Sequence, residues 1–128
     1  MNMATNALIV CLKKNKRFDG IPVNFDGYID DGVGKTLIDY WDKLDDIRKL
    51  CAVKKSIRSF GNDFNDIEYY RYSWEDSWED LKYNRQFKDM DWNSLCNKSG
   101  NFDYTYVWYL GKWYLLKNEK RKPLKDLI

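Results

Sequence analysis

The stretch from residue 26 to residue 35 brings together the residue types of this chain that could do chemistry. It contains three glycines, three aspartates and one lysine, directly before the first helical pattern. Free backbone amides from Gly32 to Lys35, with the Lys35 ammonium, could hold an anion such as a phosphate at the positive end of a helix. Asp30 and Asp31 oppose this, because they would repel an anion and could equally cap the helix. The glycines also fit a plain tight turn, so both interpretations stay open.

Two familiar ligand-binding motifs fail on spacing in this stretch. The residues Gly-Lys-Thr at 34–36 match the end of a P-loop, but that motif needs a glycine at the position held here by Ile29. A calcium loop counted from Asp26 needs an oxygen ligand and a glycine where this chain has Tyr28 and Asp31. The stretch therefore predicts neither a P-loop ATPase nor a calcium site.

Further candidate ligand-binding residues lie in the middle of the chain. The fixed guanidinium fork of Arg58 suits a pyrophosphate, although a basic run of this kind is more often a solvated loop. A predicted strand then displays Tyr70 and Arg71, which offer a stacking face and a cation. The tandem repeat SWEDSWED at 73–80 predicts a helix start, where Trp74 either packs in the core or stacks on a purine.

The residues that usually carry catalysis or metal binding are scarce. Histidine is absent, which removes the commonest metal ligand and the usual general base near neutral pH. The three cysteines, at 11, 51 and 96, are widely spaced, as expected for reduced thiols that serve as small apolar residues rather than as zinc ligands. Paired acids in the tandem repeat raise a glycosidase-like alternative, but carboxylates on a helix surface are usually solvated. We therefore predict no catalytic residue, no metal site and no cofactor.

The hydrophobic pattern predicts an α+β fold, with a mainly antiparallel β-sheet packed against one long helix and one shorter helix. The long helix runs from Val33 to about Leu50, with a break near Asp45 left open, and the shorter helix runs from Ser77 to about Met90. The apolar face of the long helix consists of Leu37, Ile38, Trp41, Leu44, Ile47 and Leu50.

Two hairpins should build most of the sheet. Residues 7–12 and 21–25 form the first, which places the glycine-rich stretch at one end of the sheet. Residues 104–116 form the second and stronger hairpin. Both of its faces are apolar or aromatic, so we expect one to cover a helix and the other to meet a partner subunit or a ligand.

The totals indicate one domain, residues 1–128, with a basic and loose C-terminal tail from about residue 118. A net charge of +2 gives no argument for a DNA or membrane partner. The longest apolar run, 7–12, is too short for a signal peptide or a membrane span. Six tryptophans, ten tyrosines and six phenylalanines exceed what a small core can hide, so some should line a pocket or an oligomer interface.

The sequence resembles a set of small phage proteins with the signature WDGYP…GVGKTLL…Y, which are associated with the sponges that counter bacterial Thoeris defence. The matching residues are Asp-Gly-Tyr at 26–28 and GVGKTL at 32–37, with further similarity at 5–9, 104–114 and 69–71. The chain departs from the signature with Asn24-Phe25 in place of His-Trp and with Ile29 in place of proline.

This resemblance implies a phage anti-defence protein that sequesters a cyclic ADP-ribose isomer made by TIR-domain enzymes, without cleaving it, and so blocks Thoeris immunity. It also implies a homo-oligomer, a dimer or higher, in the cytoplasm of the infected bacterial host. One alternative is a phage inhibitor that binds a host defence protein through exposed aromatics; another is a small enzyme acting on nucleotides. The predicted ligand-binding residues are Asp26, Tyr28, Gly32, Gly34, Lys35, Arg58, Tyr70, Arg71 and Trp74.

Overall fold

A seven-stranded mixed β-sheet organises the protein. The structure is a computed structural model that describes residues 5–70 and 74–128, with the backbone alone at 74–79. The strands are β1 (Ala7–Leu12), β2 (Phe18–Val23), β3 (Ile57–Ser59), β4 (Glu68–Tyr69), β5 (Tyr104–Tyr109), β6 (Lys112–Lys117) and β7 (Lys120–Pro123). Their order in the sheet is β4-β3-β2-β1-β5-β6-β7. The pairs β1/β5 and β2/β3 are parallel, and the other pairs are antiparallel.

Four short helices accompany the sheet in the described part of the chain. They are α1 (Val33–Tyr40), α2 (Leu44–Cys51), α3 (Trp74–Arg85) and α4 (Trp92–Ser99). Short 3-10 turns occur at Phe64–Asp66 and Leu124–Leu127. Within residues 5–70 and 74–128, no helix combines the length and the apolar character needed to cross a membrane.

The predicted fold, a mainly antiparallel sheet against one long helix, is wrong in both parts. The chain between β4 and β5 passes through α3 and α4, and β5 then pairs in parallel with β1. The long helix is two eight-residue helices because its chain turns at Trp41. The Trp41 carbonyl accepts a hydrogen bond from Trp113 Nε1 at 2.7 Å, in place of the helical amide that would continue α1.

The sheet lies between two apolar layers. Alternate residues of β1 point to opposite faces: Ile9 joins the core under α1 and α2, and Leu8 joins a second core with Phe87 and Leu95. A strand buried on both faces needs a continuous apolar run, which is what residues 7–12 supply.

Both predicted hairpins are confirmed. In the first, Ala7 pairs with Val23, although β2 begins earlier than expected, at Phe18. In the second, Tyr106 pairs with Leu115. The two faces of β5 and β6 enter the two cores, so the protein itself covers most of the surface that we expected to meet a partner.

The C-terminal segment is ordered, so the expected loose tail is wrong. Residues 120–123 pair with β6, and the connecting turn has positive φ at Asn118 and Glu119, as a tight two-residue hairpin requires. Leu124 is fully buried in the core under α1. Lysines and Pro123 suit this exposed edge strand because they discourage pairing with a further strand.

Candidate functional site

The glycine loop, residues 26–34, lies at the end of the sheet where β1 begins, as expected, but it uses much of its own polar backbone. The amide of Val33 donates to the carbonyl oxygen of Asp26 at 2.8 Å, and the amide of Gly34 donates to that of Tyr28 at 3.1 Å. Two of the four amides that could have held an anion are therefore already occupied. Their hydrogen bonds instead fold the loop onto the start of α1.

The glycines of this loop allow close backbone approach. A Cβ atom at Gly32 would collide with the Asp26 carbonyl oxygen, and one at Gly34 would lie 2.7 Å from the Ile29 carbonyl oxygen. The buried hydroxyl of Tyr106 donates to the carbonyl oxygen of Gly27 at 2.5 Å. Burial raises the pKa of Tyr106, which keeps the hydroxyl protonated as a donor. The loop is thus held in place by these contacts and positions the start of α1.

The charged and aromatic side chains predicted on this loop are exposed. Lys35 Nζ lies 2.9 Å from Asp39 Oδ2 on the next turn of α1, and this hydrogen bond raises the pKa of Lys35. An exposed ion pair of this kind contributes little free energy, so it fixes the position of the lysine side chain only weakly. Tyr28 is 47% exposed, and Asp26 is exposed with a positive φ of 59°.

The other predicted residues have partners outside the glycine loop. Arg58 Nε lies 3.6 Å from Glu68 Oε1 on the neighbouring edge strand, whereas Lys35 pairs with Asp39 in α1. The Tyr70 hydroxyl accepts a hydrogen bond from Nδ2 of Asn24, which precedes the loop, at 2.7 Å. The predictions for Arg71 and for the Trp74 side chain lie outside what the structure describes.

The buried titratable groups have structural partners. Lys88 Nζ donates to the carbonyl oxygens of Gly20 at 2.7 Å and Cys51 at 2.6 Å, which caps the C-terminus of α2 with a cation. Burial lowers the pKa of Lys88 to about 8 and raises the pKa of Cys11 to about 11. A raised thiol pKa disfavours the reactive thiolate. In the part of the chain with described side chains, no group of three His, Cys, Asp or Glu residues could hold a metal ion.

A second candidate site lies at the opposite end of the sheet. We call it the aromatic groove, an open depression of about 460 Å³. It is built from the end of β1, the following turn, the start of β2, the first residue of α4, the β5–β6 tip and β7. Its lining residues are Leu12, Lys16, Phe18, Trp92, Tyr109, Leu110 and Arg121.

The aromatic groove combines ring faces with cations. The ring centroids of Phe18 and Trp92 lie 6.0 Å apart, and Trp92 is 37% exposed. The Arg121 guanidinium lies 4.2 Å from the ring centroid of Tyr109, and Lys16 is exposed on the β1–β2 turn. Among the described side chains, no carboxylate lines the groove. An exposed indole beside two cations suits an anionic ligand that carries an aromatic ring.

Sequence reasoning missed this groove because its residues are far apart in the chain. Arg121 fell in the segment that we expected to be a loose tail, and Trp92 begins a helix that we did not predict. One local signal was available for that helix: Asp91 caps α4 through a hydrogen bond from the Ser94 amide at 2.8 Å. The juxtaposition itself depends on the crossover that brings β5 beside β1 and on the pairing of β7 with β6.

Comparison with known proteins leaves the function to be argued from this geometry. No family model matches the chain, and no curated protein or solved structure is significantly similar to it.

Proposed function

We propose that this protein is a phage anti-defence protein that binds a TIR-derived cyclic ADP-ribose isomer and sequesters it without cleavage, thereby blocking Thoeris immunity. The observation that carries the proposal is the aromatic groove, where the exposed Trp92 ring, Lys16 and Arg121 line one depression that has no carboxylate from the side chains the structure describes. The resemblance of the glycine loop to a phage sponge signature supports the same function. The groove is at the other end of the sheet, so the proposal places the nucleotide away from the residues that carry this resemblance.

The chemistry of the groove matches the two parts of such a nucleotide. Adenine would stack on Trp92, and stacking of a base on an aromatic side chain contributes about 1–3 kcal/mol. The pyrophosphate would lie between Lys16 and Arg121, where the planar guanidinium can donate two hydrogen bonds. Arg121 would then exchange part of its contact with Tyr109 for the phosphate. A volume of about 460 Å³ lies within the range of about 300–1,000 Å³ typical of small-molecule pockets.

The residues that line the groove favour binding of the nucleotide over its cleavage. The commonest general acids and bases near neutral pH are imidazoles and carboxylates, and neither type is found among the described residues that line the groove, where Lys16 and Tyr109 are the titratable groups besides Arg121. The buried thiol of Cys11 is a poor nucleophile because of its raised pKa. In this proposal the protein is not an enzyme, forms a homo-oligomer in the cytoplasm of the infected host, and has neither DNA nor a membrane as a partner.

Ligand retention tests the proposal directly. Purified protein is mixed with a cyclic ADP-ribose isomer, freed of unbound ligand and denatured by heat, and the supernatant is analysed by mass spectrometry. We expect intact nucleotide in near-stoichiometric amount from the wild type and little from Trp92→Ala or Arg121→Leu. Tyr40→Ala is the matched control, because Tyr40 is 56% exposed but lies outside the groove. Retention by both groove variants, or loss of substrate beyond one equivalent, would contradict the proposal.

A specific observation favours the second candidate function, direct inhibition of a host defence protein. Leu110 is 77% exposed at the β5–β6 tip, next to Trp92 in the groove lining. An exposed leucine beside an aromatic ring is suited to docking on another protein. Under this alternative, no nucleotide is retained, and Leu110→Asp abolishes co-purification of one host protein by the wild type.

A further inference from the structure

Strands β6 and β7 carry an excess of positive charge at the edge of the sheet. Residues 112–126 contain six basic residues but only two acids, Glu119 and Asp126, whereas the net charge of the whole chain is only +2. None of the six forms an ion pair in the part of the chain that the structure describes. They are Lys112, Lys117, Lys120, Arg121, Lys122 and Lys125.

The pairing of β6 with β7 places two of these cations side by side. Lys117 lies directly opposite Lys120. Like charges at such positions are destabilising, because the two side chains share one face of the sheet. All four residues of β7 are exposed, so this charge faces solvent. An anionic partner would relieve the repulsion.

Two tyrosine rings lie next to this charge. Tyr109 and Tyr114 are on the same face of the sheet as Leu116, and Arg121 is directly opposite Leu116 on β7. The Arg121 guanidinium is 4.2 Å from the ring centroid of Tyr109 and 5.4 Å from that of Tyr114, and the two centroids are 6.4 Å apart. Lys112 pairs with Tyr109 and so belongs to the same face. We call Tyr109, Lys112, Tyr114 and Arg121 the tyrosine–arginine platform.

Protection of the sheet edge explains only part of this arrangement. Edge lysines discourage pairing with a further strand whatever lies beside them. They do not require two partly exposed rings with an arginine held over them. Aromatic rings and arginines on an exposed sheet surface are typical of proteins that bind single-stranded nucleic acids, where bases stack on the rings and on guanidinium planes.

We propose that the tyrosine–arginine platform binds single-stranded RNA. Bases stack on Tyr114 and on the Arg121 guanidinium, and phosphates bind Lys112 and the lysines of β7. The hydroxyls of Tyr109 and Tyr114 make no hydrogen bond in the described part of the chain, so they are available to ribose 2′-hydroxyl groups, which DNA lacks. The platform shares Tyr109 and Arg121 with the aromatic groove, but Lys112 and Tyr114 lie outside the groove lining. The inference does not rest on the proposed function.

Binding of a short, fluorescently labelled single-stranded RNA to the full chain is measured by anisotropy at several salt concentrations. We expect saturable binding that weakens as the salt concentration rises, because the bound cations displace counterions from the RNA. Duplex RNA and single-stranded DNA of the same sequence should bind at least about fivefold more weakly, because duplex bases are not free to stack and DNA lacks the 2′-hydroxyl. No saturable binding, equal binding of duplex RNA or of DNA, or preferential binding to anionic phospholipid vesicles would overturn the proposal.

Two substitutions separate stacking from charge. Tyr114→Ala should weaken RNA binding about tenfold without changing its salt dependence, because loss of a stacked base releases no counterion. Lys112→Met should lower the slope of log affinity against log salt concentration by about 0.7. Lys43→Met is the matched control, since Lys43 is exposed at the start of α2 and has no ion pair in the described part of the chain; it should change neither quantity.

Thermal unfolding of each variant is measured in parallel, and Tyr114→Phe, which keeps the ring, should retain most of the affinity for RNA. If folded Tyr114→Ala and Lys112→Met bind RNA as the wild type does, the platform is not a binding site. Retention of a cyclic ADP-ribose isomer is measured on the same two variants. It should be unchanged, because neither residue lines the aromatic groove, and this separates a failure of the RNA site from a failure of the nucleotide site.

Discussion

The two ends of the sheet differ in what their polar groups contact. At the glycine loop, the amides of Val33 and Gly34 and the hydroxyl of Tyr106 all bind carbonyl oxygens within the protein. At the aromatic groove, Trp92 and Lys16 are exposed to solvent. The motif that stands out in the sequence is thus largely engaged in internal structure. The capacity to meet a ligand lies more with residues that form no motif.

This comparison predicts that substitutions in the glycine loop lower stability and substitutions in the groove lower binding. The largest effect is expected for Gly32→Ala, because its methyl group would collide with the Asp26 carbonyl oxygen. We expect a loss of about 3 kcal/mol in the free energy of unfolding, measured by urea denaturation. Gly100→Ala is the control: it meets the nearest atom at 3.5 Å, an ordinary contact, and should change stability by less than about 0.5 kcal/mol. Similar losses of unfolding free energy in the two variants would contradict this prediction.

The groove should lose binding. Trp92→Ala removes a ring that is 37% exposed, and we expect it to weaken nucleotide binding by about 1–3 kcal/mol. Because most of the ring is buried, the same change should also lower the free energy of unfolding, by about 2–3 kcal/mol. Isothermal titration of the folded variant measures the affinity, and urea denaturation of the same samples measures the stability. An unchanged affinity of the folded variant would show that Trp92 does not bind the nucleotide.

The hydrogen bond that anchors the glycine loop to Tyr106 can be tested by removing one oxygen atom. Tyr106→Phe removes the hydroxyl that binds the Gly27 carbonyl oxygen and leaves that oxygen without this donor. We expect a loss of about 1–2 kcal/mol in the free energy of unfolding. Tyr104→Phe is the matched control, because the Tyr104 hydroxyl makes no hydrogen bond in the described part of the chain, and it should lie within about 0.5 kcal/mol of wild type. No difference between the two variants would show that the hydroxyl does not anchor the loop.

The smallest predicted effect concerns pH and the buried Lys88 amine, which lies at neither end. Burial lowers the pKa of Lys88 to about 8, below its value in an unfolded chain. Above pH 8 the unfolded state therefore binds more protons than the folded state, and stability rises with pH. The raised pKa values of Cys11 and Cys51 act in the opposite direction as the pH approaches 9, because the unfolded thiols ionise first. We therefore expect a small net gain of about 0.3 kcal/mol between pH 8 and 9 in urea denaturation, and a loss in Lys88→Met, which keeps only the thiol effect.

Local patterns predicted the local structure well. The β1–β2 and β5–β6 hairpins follow from apolar runs and short turns, and each joins residues close in sequence. The helical face from Leu37 to Leu50 was also apparent, but the same spacing continues through the break at Trp41, because both helices face one core. Periodicity reports which face is buried and not whether the backbone is continuous.

The candidate sites were harder to predict from the sequence than the helices and strands. The Tyr70 hydroxyl accepts a hydrogen bond from Asn24, just before the glycine loop, and its predicted role in binding stays a prediction. The Lys35–Asp39 pair has the i,i+4 spacing of a helical ion pair and could have been predicted, whereas the Arg58–Glu68 pair joins two strands and has no spacing signal.

The sequence by itself determined the hairpins, the tight glycine turn and the shortage of catalytic groups, because these depend on residue type and on contacts a few residues apart. The tertiary structure decided the parallel pairing of β1 with β5, the end of α1 at Trp41 and the aromatic groove. Each of these depends on contacts between residues tens of positions apart. Local propensity does not predict such contacts, because they form only when the whole chain packs.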